Sequence, residues 1–167
     1  RANIILHGTF AGGDASVIED LYPMMKTNLK WVHSLSTGVD GLVPILNKCP
    51  GDYIVSNAKG AFDSSLAEWC ISSFFYFNKQ IARVVENRKN RKWDRFVMSE
   101  LKGQTVGFVG FGSIAQSTAK VARALGMNVL ALRRRVDSPG SSIADKVYSM
   151  KDKLKVFEES DYVVCSL

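Results

Sequence analysis

The chain has 167 residues, 46% of them hydrophobic and 23% charged. That is enough for one large domain or two small ones, and too apolar for a disordered chain. No apolar run approaches the roughly 18 residues that span a bilayer, and the net charge of +6 gathers mainly in the run 87–95 and in Arg133, Arg134 and Arg135. The first run reads as a solvated helix end, where cations suit the helix dipole. No recognised nucleic-acid-binding motif accompanies it.

In chain order, ANIILHG (2–8) predicts a short apolar strand that runs into a glycine-rich turn, GTFAGGD. Residues 14–27 predict a helix interrupted near Pro23. LKWVHSLSTGVDGL (29–42) reads as a strand, the turn STGVD and a helix start, and YIVSN (53–57) as another strand. Strands alternating with helices predict an α/β fold with a parallel sheet. A long helix is then expected over 64–90. Ser65 and Glu68 form a capping box at its start. Leu66, Cys70, Phe74, Phe77, Ile81 and Val84 recur at spacings of three and four, as one buried stripe would. Trp69, Phe75 and Tyr76 fall off that stripe, so the helix is expected to be covered on more than one side, either between two domains or at a subunit interface.

From 105 the pattern is a βαβ unit. Thr105 to Val109 form a strand, and Ile114, Thr118, Val121, Ala122 and Leu125 mark the inner face of a helix that Gly126 is placed to end. Val129 to Leu132 form the second strand. KDKLKVFEES (151–160) is expected to be a helix and DYVVCSL a third strand. The sequence opens on Arg1, without a charged-then-apolar leader, and closes inside that last strand, so a fragment of a longer protein is expected. Cys49, Cys70 and Cys165 fit neither a disulfide framework nor a metal-ligand spacing, and His7 and His33 have no ligand-spaced neighbours. A reducing, cytoplasmic compartment follows as the expectation.

GFGSIA, from Gly110 to Ala115, follows a strand and opens a helix. Gly110 permits the tight turn, Gly112 lets a pyrophosphate approach the backbone, and Ala115 lets helix and strand pack closely. The helix N-terminus offers N–H groups and positive dipole to phosphates. The pattern points to a dinucleotide site; the alternative is a tight turn with no ligand. An NAD site carries an acid about 20 residues past the glycines. Here the end of the second strand holds Arg133, which cannot accept a hydrogen bond from a ribose hydroxyl. With Arg134 it could clamp a 2′-phosphate, unless the arginines only face water.

Taken together, LKWVHSLSTGVDGL, NAKGAFDSSLAEW, LKGQTVGFVGFGSIAQ and ESDYVVCSL occur in the order seen in the D-isomer-specific 2-hydroxyacid dehydrogenases, and the chain resembles that family over nearly its whole length. The resemblance implies two Rossmann-like domains: part of a flavodoxin-like substrate domain over 1–58, and an NAD(P)-binding Rossmann domain over 59–167. It implies that backbone groups at Thr37 and Gly38 hold the carboxylate of a small 2-oxo acid. By the same resemblance Ser113 and Ile114 contact the pyrophosphate, Arg133 and Arg134 the adenine ribose, and Ser166 and Leu167 the adenine side. A homodimer through the helix 64–90 is implied. So is reduction of a glyoxylate- or hydroxypyruvate-like acid to a D-2-hydroxy acid, with NADP(H) preferred and NAD(H) possible. Ala115 departs from the family's third glycine. The family's catalytic Arg, acid and His are expected beyond Leu167, and its first strand or two before Arg1. Residues 1–167 alone are therefore not expected to turn over. Two other readings stand beside this one: a dinucleotide-binding corepressor or scaffold of the same fold, and a nucleic-acid binder using 87–95.

Overall fold

The structure, a computed structural model, describes residues 2–8 and 14–167. Most of the predicted turn GTFAGGD lies outside the described residues. The chain divides into two compact units, one ending at Ala61 and the other spanning Phe62–Leu167.

In the first unit, β1 (Ile4–His7), β2 (Trp31–Ser34) and β3 (Ile54–Asn57) form a parallel sheet in that order. Ile5 lies opposite Val32 and His7 opposite Ser34, so the period-two alternation turns these four to one face. On that face Val32 packs with Leu29, Ile18 and Leu42, the last two supplied by α1 (Ser16–Met25) and the turn before α2 (Val43–Leu46). The opposite face carries Ile4, Leu6 and Ile54, all exposed. The expected interruption at Pro23 does not occur: α1 runs through it to Met25. Proline removes one N–H, but here it stands in the last turn, and the Lys26 N–H still donates to the Tyr22 carbonyl at 2.8 Å. The cost of an interior proline is largely avoided there.

The second unit is built on four parallel strands, β4 (Thr105–Val109), β5 (Asn128–Leu132), β6 (Lys146–Tyr148) and β7 (Tyr162–Cys165), in the order β6-β5-β4-β7. The last strand is thus the fourth and not the third of its sheet, because the three-residue β6 precedes it. Val106, Phe108, Val129 and Ala131 are fully buried, and Phe108 meets Phe111 edge-on at 5.5 Å. The helix of the βαβ unit, α5 (Ser113–Ala124), buries Ala115, Thr118, Ala119 and Ala122. Val121, expected on that inner face, is exposed. Residues 151–160 form a 3-10 turn and a shorter helix, α6 (Lys153–Glu158).

The helix expected over 64–90 is two helices, α3 (Asp63–Asn78) and α4 (Ile81–Lys89). Between them Gln80 takes a left-handed conformation, φ 51°. No glycine or proline marks the break. It is held by tertiary bonds to the following segment: Asn78 Nδ2 donates to Gln104 Oε1 at 3.0 Å, and Lys79 Nζ donates to the Ser99 carbonyl. The capping box does not form either. The helix begins at Asp63, its N-cap Phe62 makes no side-chain cap bond, and Ser65 lies inside the first turn. The expected buried stripe is also corrected. Only Phe74 of it is buried, with Ala67 and Asn78, whereas Phe77 is 68% exposed. α3 packs against α5, whose inner face is mostly alanine. Small side chains admit a close approach, which buries Ala67 and turns the larger Leu66 outward.

Candidate functional site

In the second unit the chain leaves β4 for β5 and β6 on one side, then returns to place β7 on the other. The point between β4 and β7 is a topological switch point, where open α/β sheets bind ligands beyond the strand carboxyl ends. Gly110 and Ser166 meet there. Gly110 has φ +84°, a conformation that favours glycine, and a Cβ on it would lie 2.6 Å from the Ser166 carbonyl oxygen. The Ser166 N–H donates to the Val109 carbonyl at 2.9 Å, and its hydroxyl to the Gly110 carbonyl at 3.3 Å. Leu167 is exposed at the same end.

Gly112 differs. Its φ is −79°, and a Cβ there would meet nothing within 4 Å. The protein itself does not require glycine at this place; the open space in front of it does, if something is to approach the backbone. Beyond it, the N–H groups of Ser113, Ile114 and Ala115 begin α5 and have no intrahelical acceptor. Ala115 is fully buried, at the crossing of helix and strand. The Ser113 hydroxyl donates to Asp63 Oδ1 at 3.0 Å, so of Ser113 it is the backbone that remains for an anion.

Arg133, at the end of β5, turns its Nη1 to the following loop. It donates to the Ser138 and Pro139 carbonyls and to the Ser141 hydroxyl at 3.0–3.2 Å, and its guanidinium lies 5.8 Å from the Phe111 ring centroid. Arg134 and Arg135 are exposed and make no hydrogen bond or ion pair with the described residues. One residue missed by sequence reasoning braces this loop against a glycine within it. Gln116 Nε2 donates to the Phe111 carbonyl at 3.0 Å and its side chain fills the space beside Gly140, φ +85°. The Pro139–Gly140 pair was the available signal. Gly107 was missed too: a Cβ there would stand 2.6 Å from Val156 Cγ1, and a glycine inside a strand marks such an approach.

In the first unit, Thr37 and Gly38 lie in the loop after β2. Asn57 Nδ2 donates to the Thr37 carbonyl at 2.7 Å, and the Thr37 hydroxyl to the Ala58 carbonyl at 3.4 Å. Both contacts leave the loop's N–H groups out of account. Gly38 borders a cavity of about 220 Å³ whose other walls include His7, Asp14, Ser34, Leu42 and Ile45. Among the described residues no group of three or more Cys, His, Asp or Glu is placed to hold a metal, and no helix is long and apolar enough to cross a membrane.

A parallel sheet with a glycine turn and a helix N-terminus at its switch point defines a dinucleotide-binding α/β unit. Residues 71–167 match the model for the D-isomer specific 2-hydroxyacid dehydrogenase NAD-binding domain, and the chain belongs to that family of oxidoreductases, which act on small hydroxy and oxo acids. It is 31% identical over 138 residues to hydroxypyruvate reductase from Thermotoga maritima, covering 81% of this chain and 43% of the relative. It is 37% identical over 115 residues to D-3-phosphoglycerate dehydrogenase from Bacillus subtilis, covering 68% and 22%. Among solved structures, a D-isomer specific 2-hydroxyacid dehydrogenase family protein from Aeromonas salmonicida superposes with a TM-score of 0.79 at 27% identity, over 99% of this chain and 50% of that one. The chain spans half or less of the length of these relatives.

Proposed function

We propose that the whole protein reduces a small 2-oxo acid, of the glyoxylate or hydroxypyruvate kind, to the D-2-hydroxy acid, with NADPH as preferred donor and NADH as a usable one. The bound nicotinamide would supply the hydride. The residues present fit such a cofactor: the open space at Gly112 is a cradle that a Cβ would fill. The backbone of Gly112, Ser113 and Ile114 would hold the pyrophosphate, Arg134 with the braced Arg133 the adenine ribose, and Ser166 and Leu167 would border the adenine. Thr37 and Gly38 would hold the substrate carboxylate through backbone N–H groups. Residues 1–58 and 59–167 would be the substrate and cofactor parts. No residue of this chain is assigned the proton transfer. The observation that carries the reading is the arginine pair at the end of β5, where an acid would serve NAD. The test is the oxidation of NADPH and of NADH by the whole protein with hydroxypyruvate, glyoxylate and pyruvate. Turnover with NADPH is expected to have the higher kcat/KM; no oxidation of either cofactor with any of the three acids would contradict the proposal.

α3 bears on the quaternary state. Trp69 is 71% exposed and Phe77 68%, with Leu66 and Tyr76 beside them. Contiguous apolar surface of this kind marks an association site, and we propose that it joins two copies of the protein. Replacing Trp69 and Tyr76 together with glutamate should shift sedimentation of the whole protein toward the monomer. An unchanged species would count against it.

A further inference from the structure

The loop after β5 is tied at one point from two directions. The Pro139 carbonyl accepts from Arg133 Nη1 at 3.0 Å and, less closely, from Gln116 Nε2 at 3.5 Å. Gln116 stands in the first turn of α5, which opens at Ser113. Its amide also donates to the Phe111 carbonyl, inside the glycine turn, at 3.0 Å. A side-chain amide carries two N–H groups, so both are spent, one on each side. The same side chain fills the space in front of Gly140. Arg133 closes the circuit. Its guanidinium lies 5.8 Å from the Phe111 ring centroid, and Nη1 also reaches the Ser138 carbonyl and the Ser141 hydroxyl. That hydroxyl donates to the Val136 carbonyl at 2.6 Å, so toward Arg133 it is an acceptor. The half-buried guanidinium is therefore aimed by the acceptors of one short loop, and that loop is fastened to the glycine turn through Gln116. Nε and Nη2 of Arg133 make no hydrogen bond among the described residues and remain for an anion. A long side chain loses rotamer freedom when a ligand fixes it, and one already held loses less.

We propose that Gln116 is a positioning residue for the choice of NADPH over NADH, acting through Arg133: it docks the loop carrying Ser138, Pro139 and Ser141 on the glycine turn, and so holds the guanidinium ready for a 2′-phosphate. This rests on the reading that the arginines at the end of β5 take that phosphate. Gln116 is uncharged and spends its N–H groups within the protein, so its effect passes through the arginine it helps to aim. The ribose of NADH brings no phosphate for Arg133 to meet, and a loosened arginine is therefore felt mainly with NADPH.

The experiment titrates NADPH and NADH against the whole protein and its variants, and reads the ratio of the two affinities. Gln116→Met keeps the space beside Gly140 filled and removes the donor. Gln116→Ala, a second variant that suits a helix, removes both. Each should lower the ratio about three- to tenfold, the cost of ordering one long side chain anew on binding. In an Arg133→Ala background the same changes should move the ratio by about twofold or less, because the residue they act through is gone. A merely structural role would weaken both cofactors together and leave the ratio where it was. That result, or an equal fall of the ratio in the Arg133→Ala background, would overturn the role of Gln116 while the wild type's preference for NADPH stood. A wild type that binds the two cofactors equally would overturn the phosphate reading beneath it, and this inference with it.

Discussion

Arg133→Asp is expected to reverse the order of cofactor affinity in this protein, from NADPH over NADH to NADH over NADPH. A phosphate and a guanidinium about 4 Å apart gain on the order of 4 kcal/mol per unit charge pair at an effective dielectric near 20. Exposure of the Arg134 side chain and desolvation of the phosphate remove much of that. A net preference of roughly 1.4–3 kcal/mol remains, or about ten- to a hundredfold or somewhat more in affinity. The aspartate acts twice: it repels the 2′-phosphate, and it accepts from the free 2′-hydroxyl of NADH. The two arginines should not behave alike. Arg133 spends one nitrogen on the carbonyls of Ser138 and Pro139, so its loss also releases the loop that carries Gly140. Arg134 has no such engagement among the described residues, and Arg134→Ala should weaken NADPH binding while leaving NADH binding and thermal stability nearly unchanged. Titration of both reduced cofactors against wild type and the two variants measures this. Equal affinities in the wild type would mean that the arginines are a solvated strand end.

Substitution of the two glycines in the turn should separate folding from binding. Gly110→Ala is expected to lose both. It places a side chain at φ +84°, which costs on the order of 1–3 kcal/mol in backbone strain. It also drives a Cβ to 2.6 Å from the Ser166 carbonyl, backbone against backbone, which adds an overpacking cost of about 1–3 kcal/mol. β7 would have to part from β4 where the ligand is expected. Gly112→Ala should leave stability within about 0.5 kcal/mol, as substitutions into open space do, and yet weaken dinucleotide binding tenfold or more, because the new methyl stands in the cradle. Urea unfolding and cofactor titration of each variant give the two quantities. A Gly112→Ala protein that binds NADPH as the wild type does would reduce the turn to a structural one.

What the sequence announced and what it concealed divide along the range of the interactions. The strands at 105–109 and 128–132 and the turn between them were legible because each is specified locally: apolar runs, a glycine needed at positive φ, and a helix start right after it. Gly126, φ +79°, ends α5 for the same local reason. The break at Gln80 was not legible. Nothing in its neighbours disfavours helix, and the bonds that hold it reach to Ser99 and Gln104. The buried face of α3 was misread because it depends on the partner. Against an alanine-lined helix the small Ala67 goes inward, whatever the periodicity of the larger residues. β6 was missed because three residues, KVY, carry no readable period. At the site, the arginines were visible as a violated position rule, but the brace formed by Gln116 and the Ser138–Ser141 carbonyls and hydroxyl was not. His7 was visible only as an isolated histidine; the burial of its unpaired ring nitrogens belongs to the folded sheet.

If the protein works as proposed, the turn from Gly110 into α5 holds a dinucleotide. The direct measurement is a titration of the chain with NADPH, followed through the backbone amides. Saturable shifts are expected at Gly112, Ser113 and Ile114, with further shifts at Arg134 and Ser166, and with little change across Ile54–Asn57. Saturation without movement at Gly112–Ile114, or no binding by the folded chain at millimolar NADPH, would contradict it.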